Sequence, residues 1–151
     1  MSIDRNAPDV KALGIPDGFR HWAGDPAEDR IGPFFWRQTA PGRVESVFRV
    51  QPHHVNTYGA VHGGVLMTFA DYTLCLAAIE QEGDTVVTVS ATCDFVDAGR
   101  NGELLTGIGE TTRLTGSLAF TRATLYAGER VLMTASGVIK RSARKSPPST
   151  P

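Results

Sequence analysis

The stretch that organises the chain reads Gly63-Gly-Val-Leu-Met-Thr-Phe-Ala-Asp71-Tyr-Thr-Leu-Cys-Leu-Ala-Ala-Ile79. It contains no proline, and no glycine after the opening pair. Its side chains are apolar on almost every side of a helix, which is typical of a helix buried at the centre of a domain. We predict a central helix from Val65 to about Gln81, with Gly83 at its C-cap because glycine commonly ends helices.

Strand patterns flank this helix on both sides. Apolar and polar residues alternate with the two-residue period of a strand before the helix and again after it. The connections between the later runs are short and contain glycine, which predicts antiparallel hairpins. The order strand, helix, strands predicts an α+β fold with a long central helix and an antiparallel sheet. The predicted strands span Arg43–Val50, Val87–Phe95, Glu103–Leu114, Ser117–Tyr126 and Arg130–Lys140.

Length and composition narrow the possible classes of function. A chain of 151 residues predicts one domain. Its 15 basic and 16 acidic residues give a net charge of −1, which argues against a nucleic-acid partner. Two cysteines, Cys75 and Cys93, cannot form a disulfide framework, and we interpret them as small core residues. The sequence has no signal-peptide pattern and no apolar run of roughly 18 residues, so we expect a cytoplasmic protein with no membrane partner.

The two ends of the chain differ in composition from the middle. Residues 1–42 are rich in glycine, proline and charge, and Asp25-Pro26-Ala27-Glu28 has the spacing of a capped short helix. Three consecutive aromatic residues, Phe34-Phe35-Trp36, favour an arm that packs on a domain spanning 43–140, the alternative being a flexible tail. The basic, proline-rich segment 141–151 is predicted to be disordered.

Asp71 is the only charged residue between Gly63 and Ile79. Burial of an unpaired carboxylate costs several kcal/mol, so such a residue usually has a partner or a chemical task. The alternatives are a solvent-facing position at the helix edge and a structural hydrogen-bond acceptor. We interpret Asp71 as a candidate catalytic residue.

Gly63 and Gly64 open the predicted helix. The first N–H groups of a helix have no partner within it and carry the positive end of its dipole. Glycine lets another molecule approach these groups closely, so they can bind a carboxylate or polarise a carbonyl oxygen. A tight turn is the alternative explanation for the glycine pair.

The spacing of these two features predicts an assembly. Gly63 and Asp71 are eight residues apart, which separates them by about 12 Å along one helix. A base and an oxyanion donor must both lie about 3 Å from one reacting group, so a single helix cannot supply both. Two helices running antiparallel across a twofold axis would bring Gly63 of one copy near Asp71 of the other. The spacing therefore indicates two equivalent sites at a dimer interface.

Asn56 and His62 precede the helix as further candidates. His62 is either an acid–base group or a residue that orients its neighbours, and the Asn56 amide could donate to an oxyanion. Hydrogen bonding within the loop is the alternative for both. The set His53, His54, His62 and Asp71 matches no recognised metal-ligand spacing, and we predict neither a metal nor a cofactor.

A family resemblance rests on these same residues. The stretch Asn56-Thr-Tyr-Gly59-Ala-Val-His62-Gly63-Gly64-Val-Leu-Met-Thr-Phe-Ala-Asp71 resembles the N-x-x-G-x-x-H-G-G-x₆-D signature of PaaI-type hotdog acyl-CoA thioesterases. The later segments 116–122, 128–131 and 135–140 are similar to the last strands of that family. The resemblance extends over roughly Arg43 to Lys140. It implies a hotdog fold, in which a curved antiparallel sheet wraps a long helix, and a homodimer or homotetramer with a continuous sheet.

The resemblance also implies a reaction and roles for named residues. The reaction is hydrolysis of an acyl-CoA thioester to a free acid and CoA. Asp71 is similar to the family's carboxylate, which acts as general base or nucleophile, and the Gly63 N–H would polarise the thioester carbonyl. Asn56 would lie beside this N–H, His62 would position the loop, and Thr88 would hold the attacking water.

Some assignments are less direct. Ser90 is an alternative to Thr88, on the expectation that both lie on one face of their strand. Gly64 and Arg100 are candidate substrate-binding residues. The domain has no cluster of basic residues for the CoA phosphates, and Arg100 is proposed as a phosphate contact only from its position in a loop. A non-catalytic acyl-CoA-binding hotdog protein is the alternative function. A hotdog dehydratase would need a histidine and carboxylate in a motif that the sequence does not contain.

Overall fold

The computed structural model describes residues 8–142, in which one antiparallel sheet packs against one long helix. The sheet has seven strands in the order β1-β2-β3-β5-β6-β7-β4. The elements are β1 Arg20–His21, α1 Pro26–Ile31, β2 Phe35–Ala40, β3 Arg43–Arg49, a 3₁₀ turn Pro52–His54, α2 Gly63–Ala77, β4 Thr85–Phe95, β5 Leu104–Leu114, β6 Leu118–Ala127 and β7 Arg130–Ser142. This arrangement confirms the predicted α+β architecture.

Helix α2 approaches the sheet closely where β5 carries glycine. A Cβ atom at Gly109 would lie 2.8 Å from the Thr73 carbonyl oxygen, and one at Gly107 would clash with the Ser46 hydroxyl. The hydroxyls of Ser46 and Thr73 share a buried hydrogen bond of 2.6 Å across this contact. Glycine in β5 therefore fixes the depth of α2 against the sheet, and with it the positions of the residues along α2.

The predicted C-terminal end of the helix is wrong. Helix α2 ends at Ala77, and Gly83 lies beyond it in the turn before β4 with φ of +94°. The Asp84 carboxylate accepts hydrogen bonds from the N–H groups of Glu80 and Gln81, each at 3.2 Å. These N–H groups are thereby diverted from a helical hydrogen-bond pattern, so the chain turns before the predicted C-cap.

The arm contributes two strands and a helix to the fold. The predicted short helix is present as α1, with the Asp25 carboxylate accepting from the N–H groups of Ala27 and Glu28 at 3.0 Å. Strands β1 and β2, which the sequence analysis did not predict, extend the sheet beyond β3. Phe34 is buried in the main core, and Phe35 is buried in a second cluster with Ile15.

The predicted domain limits at residues 43 and 140 stay predictions. β2 pairs with β3 across the first limit, and β7 runs two residues past the second, to Ser142. Residues 1–7 and 143–151 lie outside the described residues, and most of the tail predicted to be disordered lies there. No helix in the described part of the chain is long and apolar enough to cross a membrane.

Candidate active site

Asp71 and Thr88 meet where α2 packs against β4. The Thr88 hydroxyl donates a hydrogen bond of 2.5 Å to Asp71 Oδ1, which is a typical length for an O–H group bound to a carboxylate. Both residues are half-buried. The structure thus brings together two of the predicted site residues from different elements, and gives the single charge of α2 a hydrogen-bond partner.

A β-bulge next to Thr88 removes the alternative, Ser90. Thr88 lies opposite the buried Ile139, whereas Ser90 lies opposite Val138, so Val89 is an extra residue in β4. Such a bulge reverses the alternation of faces along a strand. Thr88 points toward α2 and Ser90 toward the opposite face of the sheet, which contradicts the expectation that they share a face.

A cleft of about 390 Å³ opens beside Asp71, between α1, α2 and the start of β4. Much of its wall is apolar, and its polar groups include carboxyl groups from both helices. The residues that line it include Trp22, Asp25, Glu28, Asp71, Tyr72, Cys75, Ile79, Asp84 and Thr88. The cleft therefore offers space for an apolar group next to a carboxylate.

The start of α2 presents one backbone donor. His62 is the N-cap, and its Nδ1 accepts a hydrogen bond of 2.9 Å from the Gly64 N–H. The Gly63 N–H has no acceptor among the described residues. An accepting Nδ1 places the proton of a neutral His62 on Nε2. His62 thus caps the helix, and Gly63 rather than Gly64 keeps an N–H available to a ligand.

Asn56 organises the loop that leads to this helix. Its Oδ1 accepts hydrogen bonds from the N–H groups of Tyr58 at 2.9 Å and Ala60 at 3.2 Å. The side-chain oxygen is therefore engaged within the loop, as the alternative interpretation of Asn56 expected. Contact between its amide N–H group and an oxyanion stays a prediction.

Arg100 lies beside the same loop. It pairs with Ala60 through an isolated β-bridge, and its side chain is exposed. No described carboxylate forms an ion pair with it, whereas the nearby Arg130 is held by Asp97 and Glu103. Arg100 is thus a cation available to a ligand on the side of the molecule that carries the Asn56 loop.

The histidines and cysteines have structural surroundings. Within residues 8–142, no three histidine, cysteine or acidic side chains are grouped closely enough to hold a metal ion. His54 is buried, and its ring contacts the Gly32 carbonyl at 3.2 Å and accepts from the Gln51 N–H at 2.9 Å. Burial raises the pKa of the Cys75 thiol to about 11, so the thiol is not an activated nucleophile.

Glu28 is a site residue that the sequence analysis missed. It belongs to α1 and lines the cleft with Asp71. Burial, followed by the neighbouring carboxylates of Asp25, Asp71 and Asp29, raises the pKa of Glu28 from 4.5 to about 7. Its spacing from Asp25 suggested only a helix cap, and no sequence pattern indicated that α1 would fold onto α2.

The raised pKa of Glu28 predicts a pH-dependent stability difference. The native protein favours protonated Glu28, so wild-type stability falls as the pH rises from about 4.5 through about 7. The Glu28→Gln variant has no carboxyl group at this position, so its stability does not fall in this way as the pH rises. Its melting temperature relative to wild type should therefore rise between about pH 4 and about pH 8. The exposed Glu129→Gln is the matched control, and a Glu28→Gln difference that is constant across this range would contradict the prediction.

Asp71 and Gly63 do not meet within one chain. Both belong to α2, eight residues apart, which corresponds to about 12 Å along the helix axis. The described chain thus holds a carboxylate and a backbone donor at separate points. For a carboxylate and a backbone N–H to act on one carbonyl group, Asp71 and Gly63 must therefore come from two different copies of the chain.

Comparison with known proteins finds a matching family and a similar relative. The family model described as thioesterase superfamily matches residues 58–134. A proposed esterase of Pseudomonas aeruginosa is 35% identical over 129 residues, covering 83% of this chain and 96% of that protein.

Solved structures share the fold at lower identity. The Escherichia coli PaaI protein from the phenylacetic acid degradation operon superposes with a TM-score of 0.72 at 18% identity, over 80% of this chain and 87% of that one. A hypothetical thioesterase of Streptococcus pneumoniae, solved with coenzyme A, has a TM-score of 0.68 at 24% identity, over 75% and 88%. These likenesses confirm the predicted hotdog fold.

Proposed function

The chain belongs to the thioesterase superfamily, and from this membership we propose that it hydrolyses acyl-CoA thioesters to a free acid and CoA. The observation that carries the proposal is the Asp71–Thr88 hydrogen bond at the mouth of a partly apolar cleft. A carboxylate held by a hydroxyl beside a partly apolar cleft with space for substrate suits attack on a thioester carbonyl. The coenzyme A in the Streptococcus pneumoniae relative supports CoA esters as the substrate class.

Asp71 acts in one of two ways. As general base it takes a proton from water while the water oxygen bonds to the thioester carbon. As nucleophile its own oxygen forms that bond, and water later hydrolyses the resulting anhydride. In both cases the C–S bond breaks with its electron pair on sulfur. Thr88 keeps the Asp71 carboxylate oriented, and its hydroxyl oxygen can still accept a hydrogen bond from the water.

The thioester carbonyl oxygen needs a hydrogen-bond donor, and the Gly63 N–H lies about 12 Å from Asp71 along the same helix, too far to serve a carbonyl attacked by that Asp71. We assign that role to the Gly63 N–H of a second copy, since this N–H stands at the positive end of α2 with no described acceptor. Strand β4 lies at one edge of the sheet, and its Val87, Val89 and Phe95 are 65%, 61% and 56% exposed. An edge strand with exposed apolar residues favours pairing with another strand. This supports a dimer formed through β4.

The oligomeric state is directly measurable. Light scattering at micromolar concentration should give a dimer, or a tetramer built from two such dimers, because one chain lacks a complete site. An active monomer would contradict the shared site.

Arg100, which pairs with Ala60 in the loop before α2, is the proposed contact for the CoA phosphates. Arg100→Ala should raise KM for a CoA ester by about 3- to 10-fold with kcat nearly unchanged, and added salt should shrink the difference. The corresponding pantetheine ester, which lacks the nucleotide, should show no effect. Arg113→Ala removes another exposed arginine that has no described ion pair and is the matched control. A fall in kcat with KM unchanged would contradict this assignment.

A panel of CoA thioesters tests the activity itself. Aryl and alkyl esters are incubated with the protein, and release of free thiol is measured. Turnover of at least one ester above the uncatalysed rate supports the proposal. Binding of these esters without turnover would instead indicate the non-catalytic acyl-CoA-binding protein.

A further inference from the structure

Glu28 and Asp71 face one cleft from different elements. Glu28 comes from α1 in the N-terminal arm, and Asp71 comes from the middle of α2, on which α1 packs. Thr88 donates to Asp71, and Asp25 is occupied in capping α1. No described side chain or backbone group donates a hydrogen bond to the Glu28 carboxyl group, which is half-buried in the cleft wall. The Glu28 carboxyl group is therefore free to form a hydrogen bond with a ligand in the cleft.

A second group in the same wall also lacks a partner. Tyr72 is 4% exposed, and its hydroxyl has no hydrogen-bond partner in the described part of the chain. The Tyr72 side chain lines the cleft with Glu28. A buried hydroxyl without a partner is costly, so Tyr72 adds to Glu28 a second polar group of this wall that the fold leaves unsatisfied.

The charged side chains that line the cleft with Glu28 are all acidic. The titratable groups that act on it or share the cleft are Asp25 and Asp29 of α1, Asp71, Tyr72 and Cys75 of α2, and Asp84, which Arg141 holds. No basic side chain of the described residues lines this cleft. Burial and the neighbouring carboxylates therefore oppose ionisation, and the pKa of Glu28 near 7 leaves it a substantial protonated fraction at neutral pH.

We propose that Glu28 is the general acid of this site, donating its proton to the sulfur of the departing CoA thiolate. The proposal rests on the proposed function. As the C–S bond breaks, the sulfur keeps the bonding pair and takes the Glu28 proton, so the product is the free thiol. With Asp71 as base, the proton that Asp71 took from water returns to Glu28 through solvent, and the site is reset.

The assignment of Glu28 as acid and Asp71 as base or nucleophile follows a general rule for paired carboxyl groups. The group in the less polar surroundings holds the proton, and the group that accepts hydrogen bonds serves as the carboxylate. Glu28 fits the first description and Asp71 the second. The role of Glu28 is the same whether Asp71 is base or nucleophile, because both routes expel the same thiolate.

The test compares two leaving groups. The same acyl group is presented as its CoA ester, which leaves as a basic alkyl thiolate, and as its 4-nitrothiophenyl ester, which leaves as a weakly basic thiolate. Glu28→Gln should lower kcat about 10-fold or more for the CoA ester and less than about 3-fold for the nitrothiophenyl ester. A structural role for Glu28 would affect both esters equally. Glu129→Gln, an exposed residue in the β6–β7 turn, controls for the change of side chain.

A wild-type pH profile provides a second measurement that does not depend on how the variant folds. The general acid must be protonated, and kcat/KM reports the pKa values of the free protein, so kcat/KM for the CoA ester should fall as the pH rises through about 7, while the nitrothiophenyl ester shows no such fall. Equal losses with both esters in Glu28→Gln, unchanged rates in that variant, or profiles that coincide for the two esters would overturn the proposal. Inactivity of the wild type on every thioester would instead refute the proposed function.

Discussion

Asp71→Asn is expected to lower kcat for an acyl-CoA ester by at least about 100-fold, the low end of general-base effects. The amide keeps the size of the side chain, and its oxygen can still accept the hydrogen bond from the Thr88 hydroxyl. It has neither the basicity nor the nucleophilicity of a carboxylate. Substrate binding should survive, because the cleft and the start of α2 are unchanged.

Melting temperature separates this chemical role from a structural one. Removing a half-buried charge should leave the stability of Asp71→Asn equal to or above that of wild type. If Asp71 is only structural, the melting temperature falls and the folded protein keeps its rate. Asp17→Asn, an exposed change outside both the cleft and β4, is the control and should alter neither quantity. Unchanged turnover in folded Asp71→Asn would refute the assignment.

Gly63→Pro should lower kcat about 100-fold, the effect of removing one oxyanion donor. Proline is well tolerated at the first position of a helix, so α2 should still form. Gly63→Ala is the matched control, because it adds a Cβ but keeps the N–H. That Cβ would lie 3.2 Å from the Phe95 ring, whose half-exposed side chain can move.

Asn56→Ala distinguishes the backbone donor from the side-chain donor. It should cost less in kcat than Gly63→Pro, since the Gly63 N–H remains. Its main effect should be on the loop, because Asn56 Oδ1 accepts from the N–H groups of Tyr58 and Ala60. A larger fall in kcat for Asn56→Ala than for Gly63→Pro would mean that the oxyanion contact is assigned to the wrong group.

The repeat of apolar residues predicted those helices and strands in which the apolar residues lie on the face that is buried. Helix α2 and strands β3–β7 follow this rule. The end of α2 did not, because the carboxylate of Asp84 captures N–H groups that a helix would use, and this contact depends on how the chain turns. The bulge at Val89 likewise has no pattern of its own, since one extra residue reverses the faces of Thr88 and Ser90.

The arm shows why part of the site could not be predicted. The adjacent Phe34 and Phe35 are buried on opposite faces of the sheet, which a run of aromatic residues does not distinguish from a cluster on one face. Glu28 reaches the cleft because α1 packs on α2, a contact between segments more than 30 residues apart in sequence. Asp71 was predicted from the motif and Thr88 from the family resemblance, whereas Glu28 and Tyr72 as a pair required the structure.

Complementation between two inactive variants tests the shared site most directly. Asp71→Asn and Gly63→Pro are mixed in equal amounts, unfolded together and refolded, so that chains assort at random. A mixed dimer holds one intact site, made from Gly63 of the first variant and Asp71 of the second. The mixture should therefore recover about a quarter of the wild-type kcat per chain, although each variant refolded alone has about 1% or less. Activity of the mixture no higher than the average of the two variants, with mixed dimers present, would contradict a site built from two copies.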